Sequence, residues 1–108
     1  MLFRSWGGLA DYVKEIREVH HNHFVLILDP GIKDLNYYPG EEYPAHQTGV
    51  KNDVFIKSGK FNKYDKNLSK YATGTVWPGI VNYPDFTSEV TKKWWAENIE
   101  NFLMGIFF

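Results

Sequence analysis

An unbroken apolar run, His23 to Leu28 (HFVLIL), constrains the fold more than any other stretch of the sequence. It shows no alternation of apolar and polar residues, which is typical of a strand buried on both faces, and parallel strands covered by helices are the usual case. Asp29, Pro30 and Gly31 follow at once and would end both the strand and its hydrogen-bond ladder. The run therefore predicts a buried parallel strand in an α/β protein.

Two helices are predicted on either side of this strand. Leu9, Val13, Ile16 and His20 recur at helical spacing and indicate an amphipathic helix over about residues 8 to 20. A second helix is expected to begin near Thr87 or Ser88, either of which can cap it, with Glu89 in its first turn. We expect its buried side to carry Val90, Trp94, Trp95, Ile99 and Phe102.

The segment from residue 30 to about 86 is expected to be a long irregular loop, with one short β-like piece at Asp53–Lys57. Within it, Thr75 to Phe86 (TVWPGIVNYPDF) is too broken by Pro and Gly to predict a helix or a central strand. The final FLMGIFF is interpreted as the start of another strand. The order helix, strand, long βα loop, helix and incipient strand is the repeating unit of a parallel α/β protein.

Composition excludes several classes of function. The net charge is −1 and Lys and Arg form no run, so there is no electrostatic footprint for nucleic acid. The absence of cysteine excludes a disulfide framework and a thiolate zinc site within these 108 residues. His20, His21 and His23 are better interpreted as helix C-terminal histidines than as metal ligands, because no nearby side chain completes a ligand set. Asn67 begins a glycosylation sequon that would matter only in a secretory compartment.

Two residues are candidates for a ligand site. Asp29 would lie at the carboxyl end of the buried strand, where parallel α/β folds bind ligands, although a strand-ending turn with Gly31 explains it equally well. Trp77 would lie in the following loop on the same face and could form a flat wall for a sugar ring, or it could simply pack the loop. The adjacent Trp94 and Trp95 are expected in the core and at an interface.

Four stretches occur in a fixed order along the chain: VLILDPGI (Val25–Ile32), NDVFIK (Asn52–Lys57), VWPGIVNYPDFTS (Val76–Ser88) and the pair Trp94–Trp95. In sequence and spacing they resemble the catalytic barrel of glycoside hydrolase family 31, the α-glucosidases of the maltase-glucoamylase, sucrase-isomaltase and acid α-glucosidase type. The resemblance runs from about Leu9 to Phe108. It implies that residues 1–108 are part of a catalytic (β/α)8 TIM barrel, truncated at both ends, whose remainder is needed for a complete site.

The resemblance also implies a site and a substrate. Trp77, Asp29 and Ile27 would line the pocket for the non-reducing glucose of an α-glucoside oligosaccharide, and no cofactor or metal is expected. Family members are retaining enzymes that use two carboxylates, and the nucleophile belongs to a Trp-Ile-Asp-Met-Asn-Glu-type motif that these 108 residues do not contain. No catalytic residue is therefore assigned, and the isolated chain is expected to be inactive.

Two alternatives to a barrel fragment are open. The chain could be a non-catalytic carbohydrate-binding module that uses its aromatic side chains as a stacking platform, although its unbroken apolar strand argues against an all-β module. It could also dock on another piece of a barrel and complete it. The compartment is open as well, since the family that the chain resembles is often secreted, lysosomal or anchored at the cell surface.

Overall fold

The computed structural model describes residues 7–59 and 70–107. The helices in these ranges are α1 (Leu9–Glu18), a short 3-10 helix (Leu35–Tyr37), α2 (Pro44–Lys51) and α3 (Glu89–Phe107), and the strands are β1 (Ile32–Lys33), β2 (Thr73–Val76) and β3 (Gly79–Asn82). The Asn67 sequon lies outside the described residues. No helix among the described residues is long and apolar enough to cross a membrane.

The three strands form an antiparallel sheet in the order β1-β3-β2. Strands β2 and β3 make a hairpin in which Val76 pairs with Gly79, so Trp77 and Pro78 form its two-residue turn. The expectation that this stretch could not be a central strand is wrong. Pro78 lies in the turn, where a missing N–H breaks no ladder, and the β-branched residues on both sides of the turn favour strands.

The parallel strand expected at His23–Leu28 is absent, and residues 21–29 carry no regular secondary structure. Phe24 and Leu26 are half-buried, whereas Val25 is 85% and Ile27 is 91% exposed. Only alternate side chains are therefore covered. A strand needs a neighbour to complete its hydrogen-bond ladder, and the described residues pair no strand with this segment.

Both predicted long helices form, and α3 differs from expectation at its end. Helix α1 occupies Leu9–Glu18, within the predicted range, and α3 begins at Glu89, directly after the predicted cap Ser88. The expected strand at FLMGIFF is wrong, because α3 continues to Phe107 and buries Ile106. Val90 is 55% exposed, and Thr91 takes its place on the buried side at 0% exposure.

Helix α2 was not expected from the sequence. Pro44 starts it, at a position where proline costs no hydrogen bond, and the Thr48 hydroxyl donates to the Pro44 carbonyl at 2.8 Å. The β-like piece at Asp53–Lys57 makes two isolated bridges, Phe55 with Pro84 and Lys57 with Tyr71, and no named strand. The described parts of the long segment, residues 30–59 and 70–86, therefore form bridges, a helix and paired strands, and the expected irregular loop is wrong for them.

The chain divides into two compact units, residues 1–28 with 96–108 and residues 29–95. In the first, Val13 and Ile106 are buried, and Phe24 and Phe107 meet edge to face with centroids 6.4 Å apart. The second has a core made of Ile32, Val54, Phe55, Tyr71 and Trp94. Trp94 is thus a core residue as expected, while Trp95 is half-buried and packs against Phe86.

Candidate functional site

Trp77 lies at the tip of the β2–β3 hairpin, and its side chain is 101% exposed. The turn that carries it is anchored on both sides by paired strands, since Val76 pairs with Gly79 and Thr75 with Ile80. An exposed indole on a short, paired turn presents a flat apolar face to solvent. This face can stack on an apolar ligand surface such as the C–H face of a sugar.

Asp29 is exposed at the start of the segment that leads into β1. Two residues later, a methyl group added at Gly31 would lie 3.1 Å from Val81 Cγ2 and 3.4 Å from Val76 Cγ2. Gly31 thus packs tightly against the base of the hairpin, next to the residue that precedes Trp77. The segment that begins at Asp29 therefore runs beside the base of the hairpin. That Asp29 and Trp77 belong to one site stays a prediction.

Ile27, the third predicted binding residue, belongs to the first unit and is 91% exposed. Its expected burial in a parallel strand is wrong. Its place at a sugar site stays a prediction.

A buried polar cluster supports the sheet behind the hairpin, and the sequence did not reveal it. Asp34 and Asn82 are fully buried and His46 is 4% exposed. The Asn82 amide nitrogen donates to the Ala72 carbonyl at 3.2 Å, so its oxygen faces His46 Nε2 at 3.1 Å and accepts from it. This bond joins α2 to β3.

Asp34 brings β1 into the same cluster. Its Oδ1 lies 3.5 Å from His46 Nε2 and accepts from the Asn36 N–H at 2.9 Å. Its Oδ2 has no hydrogen-bond partner among the described residues. Because all three members are buried, the cluster serves to hold the segments in place, and it offers no surface to a substrate. An Asp two residues before an Asn is a turn signal that could have marked Asp34.

An exposed ionic cluster surrounds Asp53, which has φ 54 after the end of α2. Its carboxylate accepts from the Lys57 ammonium and from the Tyr71 hydroxyl at 2.7 Å, and Lys70 Nζ lies 3.4 Å away. These donors, Lys57 first, lower the pKa of Asp53 to about 2. Burial, reinforced by the Asp53 carboxylate, raises the pKa of Tyr71 to about 12. The cluster fastens the Asp53–Lys57 segment to Tyr71.

Asp85 directs the chain into α3. Its carboxylate accepts from the Thr87 hydroxyl and from the Thr87 N–H at 3.1 Å, and these bonds lower the pKa of Asp85. Its own N–H donates to the Val54 carbonyl at 2.7 Å. These contacts fix the backbone directly before α3.

The described residues contain no group of three or more His, Cys, Asp or Glu side chains that could hold a metal ion. His20 and His21 follow α1, which ends at Glu18, and the His20 imidazole lies 3.7 Å from the Glu15 carboxylate. This placement fits the interpretation of these histidines as residues of a helix C-terminus.

Comparison with known proteins shows the family to which the chain belongs. The chain matches the family model described as the glycosyl hydrolases family 31 TIM-barrel domain over residues 6–108. It therefore belongs to glycosyl hydrolase family 31. The barrel itself is larger than this chain, since a complete one takes about 250 residues.

Individual relatives are similar over most of the chain. Intestinal sucrase-isomaltase of Oryctolagus cuniculus is 34% identical over 98 residues, which cover 91% of this chain and 5% of that protein. Lysosomal alpha-glucosidase of Mus musculus is 30% identical over 97 residues (88% and 9%). Alpha-glucosidase 2 of Bacillus thermoamyloliquefaciens is 38% identical over 73 residues (68% and 8%). The chain thus spans less than a tenth of the length of these relatives.

Proposed function

We propose that this chain supplies one wall of the glucose-binding pocket of a retaining α-glucosidase, with Trp77 as the stacking surface and Asp29 as a hydrogen-bonding carboxylate. The observation that carries the proposal is the fully exposed indole of Trp77 on a turn held by paired strands. Leaving an entire indole in water forgoes a large burial energy, which a sugar or another ligand would recover.

Asp29 supports the same proposal. Its segment packs through Gly31 against Val76 and Val81, beside the turn of Trp77. A carboxylate beside an aromatic wall is a usual arrangement for a polyol, because the carboxylate accepts from hydroxyl groups while the ring covers the C–H face. The substrate class that we propose is the terminal α-linked glucose of an oligosaccharide. Two of the relatives are named alpha-glucosidases, which supports an α-glucoside as the ligand.

Hydrolysis with retention requires two carboxylates about 5–5.5 Å apart, one as nucleophile and one as acid/base. We assign neither role to Asp29, because the nucleophile of the family belongs to the Trp-Ile-Asp-Met-Asn-Glu-type motif. In our proposal the chain therefore binds an α-glucoside and does not hydrolyse it. Ile27 is proposed as a third contact.

The test is a titration of the chain with maltose. Binding is monitored through the indole N–H signal of Trp77 in a ¹H–¹⁵N spectrum, and hydrolysis through the release of glucose. We expect the Trp77 signal to shift and no glucose to appear. Trp77→Ala should lower the affinity about tenfold, since losing an aromatic contact worth about 0.5–1.5 kcal/mol together with its buried area approaches or exceeds the ~1.4 kcal/mol that corresponds to tenfold.

The matched control is Tyr12→Ala, which removes an exposed aromatic side chain from α1 and should leave the affinity unchanged. Equal loss of affinity in both variants would contradict the assignment of Trp77. Turnover of maltose by the chain alone would contradict the proposal that it only binds.

The binding-module alternative is favoured by one observation, the antiparallel hairpin that presents Trp77 in place of the expected parallel strand. The two proposals differ in the effect that the remaining segments of a family 31 barrel would have on the activity of the chain. Coexpression of the chain with the remaining barrel segments distinguishes the two. Restored hydrolysis supports the barrel wall and the docking alternative. An affinity for sugar that does not change when those segments are present supports a binding module.

A further inference from the structure

The turn that carries Trp77 is held from outside the hairpin by Tyr38, which follows the 3-10 helix. The Tyr38 hydroxyl oxygen accepts a hydrogen bond from the Ile80 N–H at 2.9 Å. Ile80 is the second residue of β3, directly after Gly79. A side chain far away in the sequence thus binds the backbone within three residues of Trp77.

Gly79 is what lets Tyr38 come so close. Its φ is 106°, a conformation that residues with a side chain rarely adopt. A methyl group at this position would lie 1.9 Å from the Tyr38 hydroxyl oxygen and 3.0 Å from Cζ of the same ring. The tyrosine therefore occupies the space that any other residue at position 79 would need.

Tyr38 is itself held in place. The Lys33 ammonium lies 4.2 Å from the centroid of the Tyr38 ring, within the range of a cation–π interaction. The same ammonium donates to the Glu41 carboxylate at 2.7 Å. Lys33 belongs to β1 and pairs with Val81 of β3. Lys33 thus holds the Tyr38 ring in a fixed position relative to the sheet.

We propose that Tyr38 is a positioning residue that sets how the indole of Trp77 is presented to an α-glucoside. Because Trp77 is fully exposed, the direction of its side chain depends on the backbone of the turn, and Tyr38 fixes that backbone at its exit. The inference rests on the proposed function. Tyr38 acts through the turn and does not itself contact the sugar.

The test compares Tyr38→Phe with Tyr37→Phe in the full 108-residue chain. Tyr38→Phe keeps the ring and removes only the acceptor for the Ile80 N–H, whereas Tyr37→Phe makes the same chemical change at the adjacent, exposed tyrosine. Loss of a single hydrogen bond should speed the amide exchange of Ile80 about two- to tenfold. The indole N–H resonance of Trp77 should move, and those of Trp94 and Trp95 should not.

The affinity for maltose gives the second readout. We expect Tyr38→Phe to weaken it about two- to tenfold and Tyr37→Phe to leave it as in the wild type. An unchanged Trp77 resonance and Ile80 exchange rate in Tyr38→Phe would overturn the inference. Equal shifts of the Trp77, Trp94 and Trp95 indole signals would also overturn it, since these would indicate general loosening. If the wild-type chain fails to bind maltose, the proposed function fails, while the Ile80 and Trp77 signals still decide the role of Tyr38 in the turn.

Discussion

Asp53 lies in a left-handed backbone conformation that non-glycine residues adopt only where the surroundings hold them, and Asp is among the residues that tolerate it best. Its surroundings are the Lys57 and Lys70 ammonium groups and the Tyr71 hydroxyl. The turn after α2 is therefore stabilised by charge, and its stability depends on pH in a direction that the shifted pKa values determine.

The acid side of that dependence is a prediction. The pKa of Asp53 is about 2 in the folded chain, below its ordinary value of 3.8. The stability that its ionised form contributes is complete above about pH 4 and is lost as the pH falls through 2. Asp53→Asn should therefore flatten the dependence of the unfolding midpoint on pH between 4 and 2, as measured by urea unfolding at a series of pH values.

At alkaline pH, stability falls as the pH rises. The pKa of Tyr71 is raised to about 12, so its contribution to stability is complete below pH 10 and is lost as the pH rises through 12.

Asp11→Asn, which removes an exposed carboxylate of α1, is the control for the prediction at acid pH and should keep the wild-type slope. An acid slope that survives in Asp53→Asn would show that another carboxyl group is responsible.

Helix α2 packs tightly against the core of the second unit at Gly49. A methyl group at Gly49 would lie 2.6 Å from Cζ of Phe55 and 3.2 Å from Trp94. The Phe55 ring is only 1% exposed and is enclosed by the rings of His46, Tyr71 and Trp94. These neighbours restrict the movement of the Phe55 ring, so α2 needs glycine at this position for contact and not for conformation.

Gly49→Ala should destabilise the chain, because overpacking costs about 1–3 kcal/mol and exceeds the gain of about 1 kcal/mol in helix propensity. Gly105→Ala is the matched change on α3, where a methyl group would meet nothing within 4 Å. We expect it to stabilise the chain by about 0.5–1 kcal/mol. Thermal unfolding of the two variants measures both, and a stabilised Gly49→Ala would refute the tight contact.

At the scale of the second unit, the Asp34–His46–Asn82 cluster ties β1, α2 and β3 together from distant parts of the sequence. His46→Ala would remove the donor to Asn82 and leave the buried Asp34 carboxylate without its imidazole neighbour. We expect a loss of about 2 kcal/mol or more in the free energy of unfolding. His20→Ala, at an exposed histidine, should stay within about 0.5 kcal/mol of the wild type. Similar urea midpoints for the two variants would rule out a stabilising role of the cluster.

Sequence patterns predicted those parts of the molecule that depend on local periodicity. The amphipathic spacing of α1 and the capping signal before α3 both describe contacts within a few residues, and both helices form where expected. The family was recognised from short motifs. Helix α2 is not predicted from the sequence because proline and glycine usually indicate a loop. In this chain Pro44 starts the helix, and Gly49 allows the helix to pack against the core.

The remaining errors and omissions concern contacts between distant residues. The apolar run at His23–Leu28 lacks a strand partner among the described residues, and no local pattern reports on a partner. For the candidate site, the resemblance supplied Trp77 and Asp29. It did not supply Tyr38 or the bond between His46 and Asn82. Tyr38 contacts Ile80, 42 positions away, and His46 contacts Asn82, 36 positions away, so only the folded chain brings them together.

The pairing of β1 with β3 also has a kinetic consequence. The β2–β3 hairpin closes a very short loop, so it can form on the microsecond timescale, whereas Ile32 must close a long one to reach Asn82. Trp77 would therefore be displayed early during folding. Asp29 would approach it only when β1 docks, so the rate at which the two parts of the proposed sugar-binding wall assemble would be set by that late, long-range closure.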